Sequence, residues 1–595
     1  MENKRLGARQ LKLVACLVPW LLAAPIFAQT EGNPPGRAAR LSVIEGKVSF
    51  QPSGENDWSD ATLNYTMNSG DRIYTYDGSR AELEVGPWAV RLAQDTDLTM
   101  ASLTDQFMQL GVGQGSIRVA VYEMPPGNTV EIATANGALT ASGPGSYRVD
   151  VDPNNGTRVV VNRGSLQVSG GGANQTIEAG QAAELTGTGP IQVNLLPLPS
   201  PDDFDKWCSA RDRRVESFRY RQYVNPYIPG VEDLSDYGAW SQVPEYGPVW
   251  YPSGVAVGWV PYRMGHWAWI EPWGWTWVGA EPWAFCPFHY GRWAFIGARW
   301  GWVPGPVAVA PWYAPALVAF VGGGGFSLSI GFGFGGMAAW FPLGPSDPFI
   351  PWYHYQGNYL RQVNITNVRN VTNITNITNV TNVTNIHYAY RDVATTAVPA
   401  NVFRSGQPVA NAAVHVTPQQ LAKAQVIAHP GINPARTAVF AGKPAVQAPP
   451  VRTARVTAPP PARPPLEARP APEARSVPES AKPESRPAPP NRTTPESRAT
   501  PPGGGGRAPG NPPPQRPAFI TRTPPPSHDV PFSAHQPAMQ QHPGRPLEPQ
   551  QEENVRQGRP AGPPRDREVL PHAAPPPKEQ PHPAPKAPPP RGQER

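Results

Sequence analysis

At 595 residues the chain has room for several domains. Its 57 glycines and 80 prolines, the latter mostly in the last quarter, exclude one compact globule over the whole length. The formal charge of +6 is unevenly spread: residues 451–595 hold 21 Lys+Arg against 13 Asp+Glu, the first 28 residues carry +3, and residues 29–450 come to −5. The basic character therefore belongs to the tail, and no nucleic-acid partner is expected.

The chain opens with Lys4, Arg5, Arg9 and Lys12, an apolar run Leu13–Ala24, then Pro25-Ile-Phe-Ala28. This is the pattern of a secretory signal peptide over residues 1–28, cleaved near Ala28. Leu13-Val-Ala-Cys16 has the look of a lipoprotein box, but the apolar run follows Cys16 instead of preceding it, which favours plain cleavage. No later stretch offers ~20 uninterrupted apolar residues, so no transmembrane span is expected. Periplasmic or extracellular residence follows. There Cys208 and Cys286 can pair as a disulfide or remain two buried thiols.

Residues 40–188 alternate apolar and polar at period two, as in Ala81-Glu-Leu-Glu-Val85 and Val130-Glu-Ile. Turn residues interrupt them every eight to twelve positions, as in Asp152-Pro-Asn-Asn-Gly156. Short, evenly spaced strands of this kind predict an all-β roll, sandwich or barrel. The ordered landmarks Gly46-Lys-Val48, Ser69-Gly-Asp71-Arg-Ile73, Gly115-Ser-Ile-Arg-Val119, Gly143-Pro-Gly-Ser-Tyr-Arg-Val149 and Arg163-Gly-Ser-Leu-Gln-Val168 resemble the FecR domain. That family is periplasmic or extracellular, and its best-known members relay signals to a sigma factor. The resemblance implies fold and compartment here; the anti-sigma segment and membrane helix of the relays have no counterpart in the sequence.

Next, Ser200-Pro-Asp-Asp203 has the composition of a helix start: a cap, a proline and two acids. Phe204, Trp207, Cys208, Val215 and Phe218 recur at helical spacing, predicting one amphipathic helix over 200–220 that docks between two β domains through its apolar stripe.

The stretch Tyr237–Trp312 holds 13 of the 19 tryptophans. Gly238-Ala-Trp240 is followed by Gly247-Pro-Val-Trp250, Gly265-His-Trp267 by Gly274-Trp-Thr-Trp277, and Gly291-Arg-Trp293 by Gly301-Trp302. These are three degenerate copies of one unit, each too short to bury its own apolar face. With Asp236-Tyr-Gly-Ala-Trp240, Gly258-Trp-Val-Pro-Tyr262, Glu281-Pro-Trp283 and Trp340-Phe-Pro-Leu-Gly-Pro345, the stretch resembles the DUF6600 family, whose activity is uncharacterised. A Trp/Gly-rich β domain is expected over 221–350.

Most of these tryptophans must be core, since each buried ring removes ~150–250 Å² from water. Strand alternation nevertheless puts Trp267 and Trp269, and likewise Trp273, Trp275 and Trp277, on single faces. With Trp293 they form a candidate aromatic row that could stack sugar rings or a proline-rich peptide. No catalytic motif, cofactor signature or metal-ligand spacing is present. His266, Glu281, Cys286 and His289 match no standard ligand set.

Residues 363–387 repeat Asn-Ile/Val-Thr. Period three suits neither helix nor a one-faced strand, and the Asn-x-Thr triplets read better as structure than as glycosylation acceptors. After Ala448 the chain is rich in Pro, Ala, Arg, Glu and Gly, which predicts a disordered tail over 448–595 with a diffuse pull toward anionic envelope polymer. The function expected is a non-enzymatic envelope scaffold or binding protein, its partner an envelope protein or cell-wall glycan. The alternative is a FecR-type sensor that reports through a separate membrane partner.

Overall fold

The computed structural model describes residues 32–322, 336–368, 386–422, 424–451, 519–528 and 530–563. The leader over 1–28 and most of the triplet repeat lie outside these residues. The chain is predominantly β, as the alternation predicts.

The N-terminal domain is two curled sheets that share one strand, Phe107–Val121. Its first half pairs antiparallel with Thr96–Leu103 and parallel with Thr129–Thr134. Its second half pairs antiparallel with Trp88–Leu92 and Gly145–Asp152. The change of sheet falls at Gly115, whose φ of +84° suits glycine. A Cβ there would lie 2.4 Å from Thr96 Oγ1. Val112, Ile117, Val119 and Val121 point inward from this strand, with Leu83, Val90, Leu139, Val149 and Val159 from other strands of the two sheets, and all are fully buried. An inner apolar face on each sheet and turns of Gly, Asn and Asp are what the period-two pattern encodes.

One helix, α1 (Asp203–Glu216), connects the domains. Asp202 is its cap rather than Ser200: its side chain accepts from the Asp205 amide while Asp205 reaches back, a reciprocal capping box. The expected apolar docking is only part of the contact. Phe204 and Cys208 are buried, but Trp207 and Val215 stay half-exposed. What seats α1 is charge. Glu82, on the sheet, is held by Arg91 at 2.6 Å and by Arg211 of the helix at 2.5 Å. Arg91 also reaches Asp212 at 2.6 Å, and Arg148 reaches Asp205 at 2.6 Å. Farther along, buried Arg40 pairs with Glu84 at 3.2 Å and with Asp233 of the second domain at 2.7 Å. Buried charges need such partners to offset their desolvation.

Among the described residues, the second domain contains three small sheets. Gly238–Val243, Gly247–Pro252, Arg299–Val303 and Arg292–Ile296 make a four-stranded sheet in that order. Gly265–Ile270 and Gly274–Gly279 form a hairpin. The third sheet runs Thr396–Pro399, Met337–Pro342, Val318–Gly322, Gln425–Ile427. The β domain was expected over 221–350, yet residues 396–427 supply both edge strands of this sheet. A further pair, Ala445–Val446, returns to the first domain and joins Trp58–Asp60.

The start of the triplet repeat is described, and it is structural. Asn364 is 1% exposed and uses its whole amide: Nδ2 donates to Phe349 O and Leu360 O, and Oδ1 accepts from Phe349 N and Arg292 Nη2. Asn367 donates to Trp312 O and Val363 O and accepts from Gly291 N. The disordered-tail expectation fails for residues 519–528 and 530–563. Helices Phe532–Met539 and Pro549–Arg556 form there, and Ile520, Phe532, Met539 and Leu547 are buried against the body. The composition argument averages over the tail and overlooks these few apolar anchors.

Candidate functional site: an open aromatic cleft beside a tryptophan core

Each glycine–tryptophan unit is a β-hairpin, and in each the first tryptophan lies directly opposite the second. The pairs are Trp240 with Trp250, Trp267 with Trp277, and Trp293 with Trp302. The leading glycine of every unit makes room for the second indole. A Cβ on Gly238 would lie 2.4 Å from Trp250 Cε2, on Gly265 2.7 Å from Trp277 Cζ2, and on Gly291 2.5 Å from Trp302 Nε1. The spacing of the repeat is thus the spacing of a hairpin whose first glycine sits under its last tryptophan. The first and third hairpins merge into one sheet through Trp250 and Trp302.

Trp267, Trp269, Trp273, Trp275, Trp277 and Trp293 are each at most 2% exposed. The alternation did place Trp267 and Trp269 on one face, opposite Trp277 and Trp275. That face is covered, however: Trp267 meets Trp340 edge-on at 5.4 Å and Phe403 at 5.4 Å, and Trp275 meets Phe403 at 4.3 Å. A row that stacks sugars needs open ring faces, and these have none. The six residues are core, and the aromatic surface must be sought elsewhere. Cys208 and Cys286 are likewise two separate buried thiols, so the disulfide is not formed. Burial pushes the Cys208 thiol up to about 12, which leaves it unreactive near neutrality.

Among the acids and histidines of the repeats, His289, Glu281 and Glu271 each have a hydrogen-bond partner, whereas His266 Nε2 is buried without one and burial lowers its pKa to about 4. His289 Nδ1 bonds Ala314 O at 2.8 Å, and burial lowers its pKa to about 3. Glu281 accepts from Trp259 Nε1 at 3.0 Å and Glu271 from Trp269 Nε1 at 2.8 Å. Burial raises Glu281 to about 7. For Glu271 burial first, and then Glu552 of the tail, raise the carboxyl to about 8. Among the described residues, no three or more His, Cys, Asp and Glu come together as a metal set.

Tyr220, Tyr223 and Trp240 are half-exposed rings that reach solvent near the end of α1. They form one cluster: Tyr220 stacks on Tyr223 at 6.0 Å, and Trp240 lies 5.8 Å from Tyr220 and 5.6 Å from Tyr223. Trp240 in turn packs edge-on against buried Trp302 at 6.1 Å, which fixes the cluster to the core. The cleft beside it, of ≈ 290 Å³, is lined by Arg214, Ser217, Phe218, Arg219, Tyr220, Glu232, Ser235 and Asp236. Arg214 is held in place by Asp233 at 2.9 Å and Asp236 at 2.7 Å. An aromatic wall, two hydroxyls, a fixed guanidinium and an exposed one at Arg219 are suited to a hydroxyl-rich ligand. The sequence reading passed over Tyr220 and Tyr223 because they precede the repeats. The signal available was Phe218-Arg-Tyr-Arg-Gln-Tyr223, three aromatics interleaved with arginines immediately after a helix end. A second cleft of ≈ 350 Å³, on the other side of the end of α1, is lined by Tyr122, Pro144, Arg163, Val215, Glu216, Arg221 and Tyr227. Glu271 and Glu281 line neither.

No curated protein sequence matches the chain. Two crystal structures of a protein described as a putative anti-sigma factor from Parabacteroides distasonis are similar to part of it. They share 15% and 16% identity and a TM-score of 0.19, covering 21% of this chain and 60% of that one. The chain thus spans less than two thirds of the length of the protein it matches. Residues 231–347, the segment that carries the three tryptophan hairpins, match the family of unknown function DUF6600.

Proposed function

We propose that the protein is a non-enzymatic, exported binding protein or scaffold of the bacterial cell envelope, and that the cleft lined by Phe218 and Tyr220, beside the cluster of Tyr220, Tyr223 and Trp240, takes a segment of cell-wall glycan. The observation that carries this reading is the half-exposed aromatic cluster, anchored on Trp302 and flanked by polar groups fixed by ion pairs. A sugar ring offers C–H bonds to an aromatic face and hydroxyls to Ser, Asp and Arg. A cleft with both kinds of surface uses both. The leader pattern of residues 1–28 and the FecR-like landmarks of residues 40–188 support residence in the periplasm or outside the cell. The basic remainder of the tail supports a weaker, salt-sensitive attraction to anionic envelope polymer.

The experiment is co-sedimentation of the full mature chain with purified peptidoglycan and, separately, with outer-membrane polysaccharide, while tryptophan emission is followed. Binding to either polymer with a shift in emission supports the reading, since Trp240 is half-exposed and packs on Tyr220, which lines the cleft. Absence of binding to both overturns the glycan assignment. A protein partner, including the membrane partner of a FecR-type sensor, is then the reading to pursue.

A further inference from the structure

The outer face of the N-terminal domain carries a second site, independent of the cleft. Strands Phe107–Val121 and Thr129–Thr134 run parallel, with Gln109 opposite Glu131 and Gly111 opposite Ala133. Met108, Leu110 and Val112 point into the core. Gln109 and Gly111 therefore face outward, where polar side chains normally meet water. Yet Gln109 is 0% and Glu131 1% exposed. What covers them is residues 519–523 of the proline-rich tail.

The contact is specific in both backbone and side chain. Ile520 N donates to Thr134 O at 2.9 Å, and Gln109 Nε2 donates to Thr523 O at 2.8 Å. Glu131 Oε1 accepts from both Gln109 Nε2 at 2.8 Å and Arg522 N at 3.3 Å, so one polar pair reads two peptide units of the tail. Gly111 is the most informative residue. It keeps ordinary strand dihedrals, so no turn requires glycine there. A Cβ on it would lie 2.3 Å from Cε2 of Phe519; Gly170, whose φ of +123° favours glycine in any case, leaves room for Ile520, a Cβ there lying 2.7 Å from its Cγ2. A glycine in mid-strand costs ~1 kcal/mol against a residue that packs, and it marks a place where another chain comes close.

We infer that this face is a peptide-binding site for an extended segment that begins aromatic, then β-branched, and is held through its main chain over the next three residues. Its resident occupant is the chain's own Phe519-Ile-Thr-Arg-Thr523, which Pro524-Pro-Pro526 follows. Gly111 is the seat for the aromatic ring, Gly170 the seat for the aliphatic side chain, and Gln109 with Glu131 reads the main chain. The occupant is joined to the body through residues 452–518, so it is a tethered ligand that an equivalent peptide can displace.

The test uses the full mature chain and a fluorescein-labelled synthetic peptide spanning residues 517–528. The double variant F519A/I520A empties the seats without touching the sheet. It should bind the labelled peptide at least about tenfold more tightly than the wild-type chain, whose site is filled. Adding G111V to the double variant should abolish binding, with far-UV circular dichroism unchanged. In the wild-type chain the backbone amide of Ile520 should exchange with deuterium far more slowly than the amide at the same position of the double variant. Equal peptide binding to all three chains, or to none, overturns the proposal. So does an Ile520 amide that exchanges at the rate of an unstructured peptide, a result that does not depend on any variant folding.

Discussion

Gly238 lies flat beneath the indole of Trp250: a Cβ there would sit 2.4 Å from Cε2 and 2.4 Å from the carbonyl oxygen of Tyr251. The backbone at Gly238 is fully extended, φ −176°, a conformation open to any residue. Glycine is needed for space alone. The G238A variant should therefore lose ~1–3 kcal/mol through forced displacement of a well-packed ring. G336A, where nothing lies within 4 Å, should stay within ~0.5 kcal/mol of wild type. Tryptophan-detected urea unfolding measures both. Equal midpoints for the two variants would contradict this explanation of the repeat.

Asn364 joins the third tryptophan hairpin to the loop before the helix Tyr359–Ile365, through Arg292 and both peptide groups of Phe349. Truncation in N364A strands buried donors and an acceptor, at ~1–3 kcal/mol for a neutral group and more beside a charged one. Thermal unfolding of N364A against wild type should show a lower midpoint. An unchanged Tm would mean the amide is dispensable.

Glu82 is held well below the usual carboxylate range, to about 2. Burial itself acts against this; the charges and hydrogen bonds of Arg91 and Arg211 outweigh it. Because the folded pKa is depressed, its contribution is complete above the ordinary value of 4.5 and is lost as pH falls toward about 2. The E82Q variant should cost ~3–5 kcal/mol at neutral pH, since two arginines lose their buried partner. It should also flatten the acid limb of the stability profile between those values. Denaturation followed from pH 2 to 7 distinguishes this from a loss independent of pH.

The tail meets the tryptophan domain at Glu271. There Glu552 and His535 come from the two tail helices, His535 Nδ1 4.0 Å from Glu271 Oε1, and Arg556 acts on Glu552 from the same helix. Trp269 donates to Glu271 from the hairpin side, and Asn68 donates to its backbone carbonyl. Burial raises Glu271 to about 8 and Glu552 to about 7, and lowers His535 to about 4. A carboxyl whose pKa is raised on docking favours the docked state most fully below 4.5, and that advantage declines as pH rises toward about 8. His535 adds the opposite trend below about 6.5, its ordinary value. Limited proteolysis of residues 530–563 should therefore accelerate from pH 6 to pH 8.5 in the wild type. E271Q should reduce the acceleration. A pH-independent cleavage rate in the wild type would contradict the account.

Much of the architecture was legible in single residues. Alternation in Ala81–Val85 and Val130–Ile132 identified strands because one sheet face sends apolar side chains into the core; the polar face is buried too, under α1 at Glu82 and under the tail at Glu131. The interval from Gly265 to Gly274 proved to be that of a hairpin in which a glycine lies beneath the closing indole, Trp277. Exposure was harder to read. Alternation shows that Trp267 and Trp269 share a face, but whether that face is open depends on Phe320, Trp340 and Phe403, which are distant in sequence. The same limit applied to α1, whose apolar spacing was visible while its partners Glu82, Arg91 and Arg148 lay on strands far upstream. It applied again to the tail, where Phe519 and Ile520 became informative only beside Gly111 and Gly170.

The most direct test of the glycan-binding reading is a titration of the mature chain with soluble peptidoglycan fragments, comparing wild type with the double variant Y220A/Y223A. Both tyrosines are half-exposed, so the variant should keep the near-ultraviolet circular dichroism of the buried tryptophans. The account predicts saturable binding by the wild type and at least about tenfold weaker binding by the variant. Equal affinity in the two proteins, with the tryptophan core intact in both, would contradict it.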